Sequence, residues 1–314
     1  MKYINLLSLA MLSLLSHITI SKEEPIKNED RMFDQATNRQ IRTPENNRVI
    51  EIGKIYKHYS GKLYKVLAIS HYSEDPSMLY VVYEALYDCP TFGKNATWAR
   101  PYAMFAENVT INGKELARFY EVTEEFVTQQ SYAKLAQNRN NDKDNMKFWE
   151  PEFEEFGKLL PSGRVIDIGC GTGRDALLFV DNHNYEYIGI DLSEEMLQQA
   201  RLLAPQANFR QMNMYHLDFQ PKSFDGFWAS TSLLHVPKSM IDEVLKEIKR
   251  ILKPASVGFI TLKDGEGEGL VQRGNDIRFF AMYTEQEFKS ILERNGFKVL
   301  KSKTMTHPSS GAQK

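Results

Sequence analysis

Residues 165–175 read "VIDIGCGTGRD": an apolar run of strand length with one acid, Asp167, inside it, then glycine at alternate positions, Gly169, Gly171 and Gly173. Alternating glycines clear Cβ atoms from one side of a turn and let backbone approach a bulky group. The run therefore predicts a strand that ends in a ligand-receiving loop, with a helix opening near Arg174. Downstream, "YEYIGID", "ANFRQM", "FDGFWAS" and "VGFITLK" are four more short apolar strands, separated by helical stretches such as "SEEMLQQARLLA" and "SMIDEVLKEIKRILK". Strand alternating with helix predicts an α/β, Rossmann-like fold: right-handed crossovers, a parallel sheet flanked by helices, and a ligand at the carboxyl ends of the strands.

Upstream the pattern changes. From Ile52 the chain shows short alternating strands, with turn signals at Ser60–Gly61 and Asn112–Gly113, which predict a compact all-β module. Helical periodicity begins at Thr123 and continues through "MKFWEPEFEEFGKLL". At the amino terminus, Met1 and Lys2 precede "YINLLSLAMLSLLSHITI", with Thr19 and Ser21 at the −3 and −1 positions of a cleavage point. That is the pattern of a secretory signal or a membrane anchor, although the stretch is short for a span of roughly 20 apolar residues, and a buried N-terminal helix or a misassigned start upstream of Met11 or Met32 is the alternative. Residues 22–49 are polar and aperiodic, a linker. The expected division is thus a signal-like or anchor segment at 1–21, a linker at 22–49, a small β domain at 50–121 and an α/β domain at 123–314. Lys22, Lys27, Arg31 and Arg39 follow the apolar stretch and place the folded domains on the cytoplasmic side of any membrane tether, while the signal-like pattern leaves export open.

The 314 residues carry a net charge of −2 and no basic block, so nothing points to nucleic acid as a partner. Cys89 and Cys170 are far apart in sequence and read as free thiols. No His/Cys cluster has metal-ligand spacing, and neither a P-loop nor a GxSxG motif is present.

Two resemblances add to this reading. "YKHYSGKLYKVL", "VVYEALY" and "ATWARPYAMFAENV" resemble a small bacterial family of uncharacterised function. There Trp98, Tyr102, Met104 and Phe105 read as core, with a ligand-facing role for Trp98 and Arg100 as the alternative. From Tyr132 to Val299, "SYAKLA", "VIDIGCGTGRDA", "YIGIDLSEEMLQQA", "SFDGFWASTSLLHVP", "LKEIKRILKP" and "YTEQEFKSILERNGFKVL" resemble, in order and spacing, the class I S-adenosylmethionine-dependent methyltransferases. The resemblance implies S-adenosylmethionine as cofactor. Asp167, Gly169, Gly171 and Gly173 would line its methionine side, Asp191 would hold the ribose, and Leu192 and Met214 would sandwich the adenine. Asn213 stands where the family commonly has an acid facing the adenine amino group, and Tyr132 would close over the methionine end. The implied reaction is methyl transfer to a small-molecule acceptor, without a metal.

His235, just beyond the fourth strand, is the candidate base, with a loop-capping role as the alternative. A nicotinamide-dependent oxidoreductase fits the GxGxG spacing poorly, because dinucleotide sites use GxGxxG. A cofactor-binding protein without turnover remains a second alternative. The sequence departs from the family in two places. Lys253–Pro254–Ala255–Ser256 replaces a "KPGG" turn, and after "FKVLKSKTMTH" no final antiparallel strand follows, which predicts a sheet one strand short and an uncovered edge open to homodimerisation.

Overall fold

The computed structural model describes residues 2–10, 48–136, 148–182, 184–273 and 276–306. They form two compact units, Met1–Ser13 with Glu125–Lys314, and Leu14–Glu124. The chain opens on a strand, β1 (Lys2–Ala10), that belongs to the first of these.

The second unit is an antiparallel sheet in the order β5-β4-β3-β2-β8, from β2 (Ile55–His58), β3 (Leu63–His71), β4 (Leu79–Ala85), β5 (Thr97–Pro101) and β8 (Phe119–Val122). A short helix, α1 (Tyr102–Ala106), and a hairpin of β6 (Asn108–Ile111) and β7 (Lys114–Ala117) interrupt it. The hairpin turns on Asn112 (φ 51°) and Gly113 (φ 74°), the left-handed pair that a two-residue turn between twisted strands requires. Tyr56, Val66, Val81, Tyr83 and Phe105 fill the core with Phe119, whose ring stacks on Phe105 at 4.0 Å. Tyr102 and Phe105 are core as expected, whereas Met104, between them on a five-residue helix, faces outward. Arg100 Nε donates to the Tyr83 hydroxyl at 3.2 Å.

The first unit contains all five predicted parallel strands: β9 (Gly163–Ile168), β10 (Tyr185–Asp191), β11 (Asn208–Gln211), β12 (Phe224–Ser230) and β13 (Leu252–Lys263). Helices α2 (Glu124–Ala136), α3 (Glu150–Leu159), α4 (Ala176–Val180), α5 (Glu194–Leu203), α6 (Ile241–Ile251) and α7 (Glu285–Arg294) accompany them, with a hairpin of β14 (Glu268–Arg273) and β15 (Asp276–Ala281) and a last strand, β16 (Phe297–Thr306). α6 shows why such segments are helical: Ile241, Val244, Leu245, Ile248 and Ile251 recur every three or four residues and all are buried. The sheet order is β11-β10-β9-β12-β13-β1-β16. From β9 the chain winds outward through β10 and β11, then returns to the other side at β12. The crevice at that reversal, beyond the carboxyl ends of β9 and β12, is where an open parallel sheet receives its ligand.

Two expectations are corrected here. The residues read as the start of a signal or anchor are a sheet strand: β1 lies between β13 and β16, antiparallel to both, with Leu6 opposite Ile260 on one side and Ser302 on the other. A short apolar run suits a sheet strand as well as a signal core, so composition alone did not separate them. The rest of that segment, residues 11–21, lies outside the described residues, as does residues 22–47 of the linker. Among the described residues no helix is long and apolar enough to cross a membrane. The same strand removes the reason for expecting an uncovered edge, because the antiparallel position missing after β16 is filled from the other end of the chain. The altered stretch Lys253–Ser256 falls inside β13, where the register with β12 shifts between Phe224 opposite Leu252 and Gly226 opposite Val257, and it holds Ala255 at φ +61°, in the left-handed region.

Candidate active site

One cavity occupies the switch-point crevice, walled by the loops after β9, β10, β11 and β12 and by one face of α2. The three loop glycines serve three purposes. A Cβ on Gly169 would sit 2.4 Å from Ser232 Cβ, and one on Gly173 would sit 2.9 Å from Ala200 Cβ, so these two allow close packing against the β12 loop and α5. Gly171, at φ +55°, would direct a Cβ into open space, and it is here that the loop leaves room for a ligand.

Asp191 ends β10 with both carboxylate oxygens aimed by backbone: Gly171 N–H donates to Oδ2 and Ser193 N–H to Oδ1, each at 2.9 Å. Each oxygen keeps a lone pair for a further donor. Burial raises its pKa, and the backbone N–H groups oppose that rise. Ser193 also caps α5 by accepting from Met196 N–H, which fixes the loop beside Asp191.

Behind the glycine loop lies an acidic network. Asp167 accepts from the Tyr187 hydroxyl at 2.7 Å, and burial, reinforced by the charge of Asp175, holds its carboxyl well above the usual range. Asp175 is gripped by Arg174 through Nε at 2.6 Å and Nη2 at 3.0 Å, and it accepts from Trp228 Nε1 at 3.0 Å. A cation arriving in this cavity would relieve the mutual repulsion of the two acids.

At the other end of the cavity Tyr132 meets His235, with the phenol oxygen 2.7 Å from Nε2. Nδ1 lies 2.6 Å from the carbonyl oxygen of Phe279. A carbonyl accepts, so Nδ1 carries the proton, Nε2 is an acceptor and Tyr132 donates to it. Burial lowers the His235 pKa to about 4, with nearby Arg278 acting in the same direction.

Of the residues expected to form the site, Tyr132, Asp167, Gly169, Gly171, Asp191, Leu192, Asn213, Met214 and His235 line this one cavity. Gly173 does not, because its Cα is turned toward α5. His235 meets the cavity with its Nε2 2.7 Å from the Tyr132 hydroxyl. Of the wall made by α2, sequence reasoning found Tyr132 and missed Glu125, Thr128 and Gln129. Glu125, Thr128, Gln129 and Tyr132 recur at helical spacing and all face the cavity, a polar stripe legible in "EEFVTQQSY". α2 is tied across the site, with Gln129 Nε2 donating to Leu192 O at 3.1 Å and Thr128 Oγ1 accepting from Phe279 N–H at 2.9 Å. Ser131 Oγ completes the tie by donating to Ile277 O at 2.5 Å and accepting from Ile277 N–H at 3.1 Å.

Comparison with known proteins agrees with this layout. Residues 165–255 match a methyltransferase domain family, and residues 54–121 match a protein family of unknown function, DUF1653. The O-methyltransferase rstn1 of Aspergillus nomiae is 31% identical over 160 residues, 46% of this chain and 70% of that protein. The O-methyltransferase resE of Aspergillus sclerotiorum is 29% identical over 46% of this chain and 60% of its own length. For 24-methylenesterol C-methyltransferase 3 of Arabidopsis thaliana the figures are 25%, 54% and 51%, so the chain spans between half and two thirds of these last two relatives. Among solved structures, the 1,6-didemethyltoxoflavin-N1-methyltransferase of Burkholderia thailandensis, with bound 1,6-didemethyltoxoflavin and S-adenosylhomocysteine, superposes with a TM-score of 0.51 over 66% of this chain and 95% of that one. At 20% identity that likeness is one of fold.

Proposed function

The chain belongs to the class I S-adenosylmethionine-dependent methyltransferases, and from that premise we propose that it transfers a methyl group from S-adenosylmethionine to a small-molecule acceptor in the cavity beside Tyr132. The observation that carries this reading is Asp191, a carboxylate aimed by two backbone N–H groups into the same cavity as the open Cβ position of Gly171. The residues present fit the cofactor. Asp191 offers two acceptors of the kind a ribose diol needs, and Leu192 and Met214 offer apolar walls for a planar base. A cationic ligand would favour the ionised form of Asp167, whose carboxyl burial and the charge of Asp175 hold well above the usual range. When bound, S-adenosylmethionine supplies an electrophilic methyl group on a sulfonium.

What the protein adds is chiefly placement, since an activated leaving group makes orientation the larger share of the acceleration. Tyr132 donates its hydroxyl hydrogen bond to His235 and accepts one from Arg278 Nη1 at 3.4 Å, so the phenol is held in a fixed orientation at this end of the cavity. His235, locked by Phe279, is a positioning residue that acts through Tyr132. A small acceptor is supported by the names of the relatives, which are O-methyltransferases and sterol C-methyltransferases. Work on the cytoplasmic side of the cell is part of the same proposal. It is supported by the pairing of β1 within the sheet, because a segment threaded into a membrane cannot at the same time pair with β13 and β16.

The test is calorimetric titration of S-adenosylhomocysteine into wild type and Asp191→Ala. Losing an acceptor worth roughly 1.5–3 kcal/mol should weaken binding about 10- to 100-fold while the thermal transition persists. Equal affinity in the two proteins overturns the assignment. Incubation with a metabolite extract and methyl-labelled cofactor should then label a small molecule.

A further inference from the structure

Asn213 stands where an acid was expected, yet the cavity does hold an acid at that point. Asn213 Oδ1 accepts from Tyr215 N–H at 3.0 Å, and its Nδ2 donates to Glu125 Oε1 at 2.8 Å. These partners fix the amide's orientation, since a backbone N–H needs the oxygen and a carboxylate needs the nitrogen. Asn213 thus makes one protein bond at each polar end and gives its amide nitrogen to Glu125. What faces the cavity instead is the carboxylate of Glu125, brought in on the first turn of α2 and steadied by Asn213. Among the described residues Glu125 has no Lys or Arg partner, and its Oε2 has no donor. The phenol of Tyr215 lies close by, pushed up to about 12 first by burial and then by the charge of Glu125, so it stays protonated and does not compete as an anion.

The surroundings say what this carboxylate can receive. Leu192 and Met214, the apolar walls of the base slot proposed above, line the same cavity as Asp191 and Glu125, and two contacts tie α2 to them: Glu125 accepts from Asn213, the neighbour of Met214, and Gln129, one turn on, donates to Leu192 O. A carboxylate there accepts hydrogen bonds and has none to give. We infer that Glu125, supplied by α2 and held by Asn213, receives the 6-amino group of the cofactor's purine and sets the preference for a 6-amino over a 6-oxo base. This rests on the cofactor reading proposed above. A 6-oxo purine would place a carbonyl oxygen against the carboxylate, acceptor against acceptor, and leave both unsatisfied.

The test compares S-adenosylhomocysteine with S-inosylhomocysteine, titrated calorimetrically into the full-length protein. Wild type should prefer the adenosyl compound by about tenfold or more. Glu125→Gln keeps an oxygen for Asn213 and turns an amide donor to the slot, so the preference should collapse to near parity or invert. Glu125→Asp, which keeps the carboxylate, should retain a preference of the same sign. If Glu125→Gln weakens both compounds equally, or leaves their ratio unchanged, Glu125 is a structural support and the inference falls while the cofactor assignment stands. If wild type binds neither compound, both readings fall together.

Discussion

His235 carries one proton, on Nδ1, and the carbonyl of Phe279 holds it there. The nitrogen that a base would use is already receiving the Tyr132 hydroxyl. This changes the expected pH behaviour. A free imidazole base would make the rate climb through pH 6.5, whereas a buried neutral imidazole with a pKa near 4 leaves the rate without that step. Stability should report the group instead. Above pH 6.5 both folded and unfolded chains hold neutral imidazole. Between about 6.5 and 4 the unfolded chain binds a proton that the folded chain refuses, so stability falls with falling pH by up to about 1.4 kcal/mol per unit. Urea unfolding of wild type and His235→Asn at pH 7.5 and 5.5 isolates the term, and wild type should lose more across that interval than the variant. Equal losses would mean that His235 titrates normally. Arg278, Tyr132 and the Phe280 ring face the imidazole, and the charge among them favours the neutral form. At this scale Asp191 was legible because an acid closing an apolar strand has few structural uses. The support of His235 was not, because Phe279 approaches it from a hairpin 44 residues away.

Among the elements, the glycine loop and the irregular start of β13 show how far local sequence carries. The loop was legible as a ligand site, but the separate duties of its glycines were not, since Ser232 and Ala200 come from β12 and α5. The Lys253–Ser256 stretch was legible as a departure, and the structure places it at a register shift inside β13, with a measurable consequence. Ala255 is exposed and held at φ +61°, where an L side chain pays about 1–2 kcal/mol against the following carbonyl. Ala255→Gly should relieve that strain, offset in part by the greater freedom glycine has when unfolded, leaving a gain of about 1 kcal/mol. For a unit of this size that is a rise of roughly 2–4 °C in the thermal midpoint. A midpoint unchanged or lowered would show that the stretch is unstrained with alanine. The α2 stripe belongs to the same scale: helical spacing gathers Glu125, Thr128, Gln129 and Tyr132 on one face, but a polar face reads equally as solvent-exposed until the hairpin that covers it is placed.

In the whole molecule, the unit that holds the candidate site is assembled from both sides of an insertion. The chain contributes β1, leaves for the β domain, and returns at Glu125 to build the rest of the sheet. Position in sequence hid this, because a first strand paired to the last has no local signature and a long-range pairing cannot be read from periodicity. The arrangement separates two accounts of residues 1–21. A cleaved or threaded segment contributes nothing to the folded unit, so a chain starting at Lys22 should unfold at the temperature of the full chain. A strand that exchanges backbone hydrogen bonds with both β13 and β16 cannot be removed so cheaply. Its loss leaves two facing edges unpaired in the middle of a sheet, a template for association with other chains. Loss of several kcal/mol is expected, and with roughly 2–4 °C per kcal/mol the midpoint should fall by about 10 °C or more, accompanied by concentration-dependent aggregation. Deleting residues 1–21 and measuring the thermal midpoint and the sedimentation profile decides between them: an unchanged, monodisperse protein would return the segment to the role its composition first suggested.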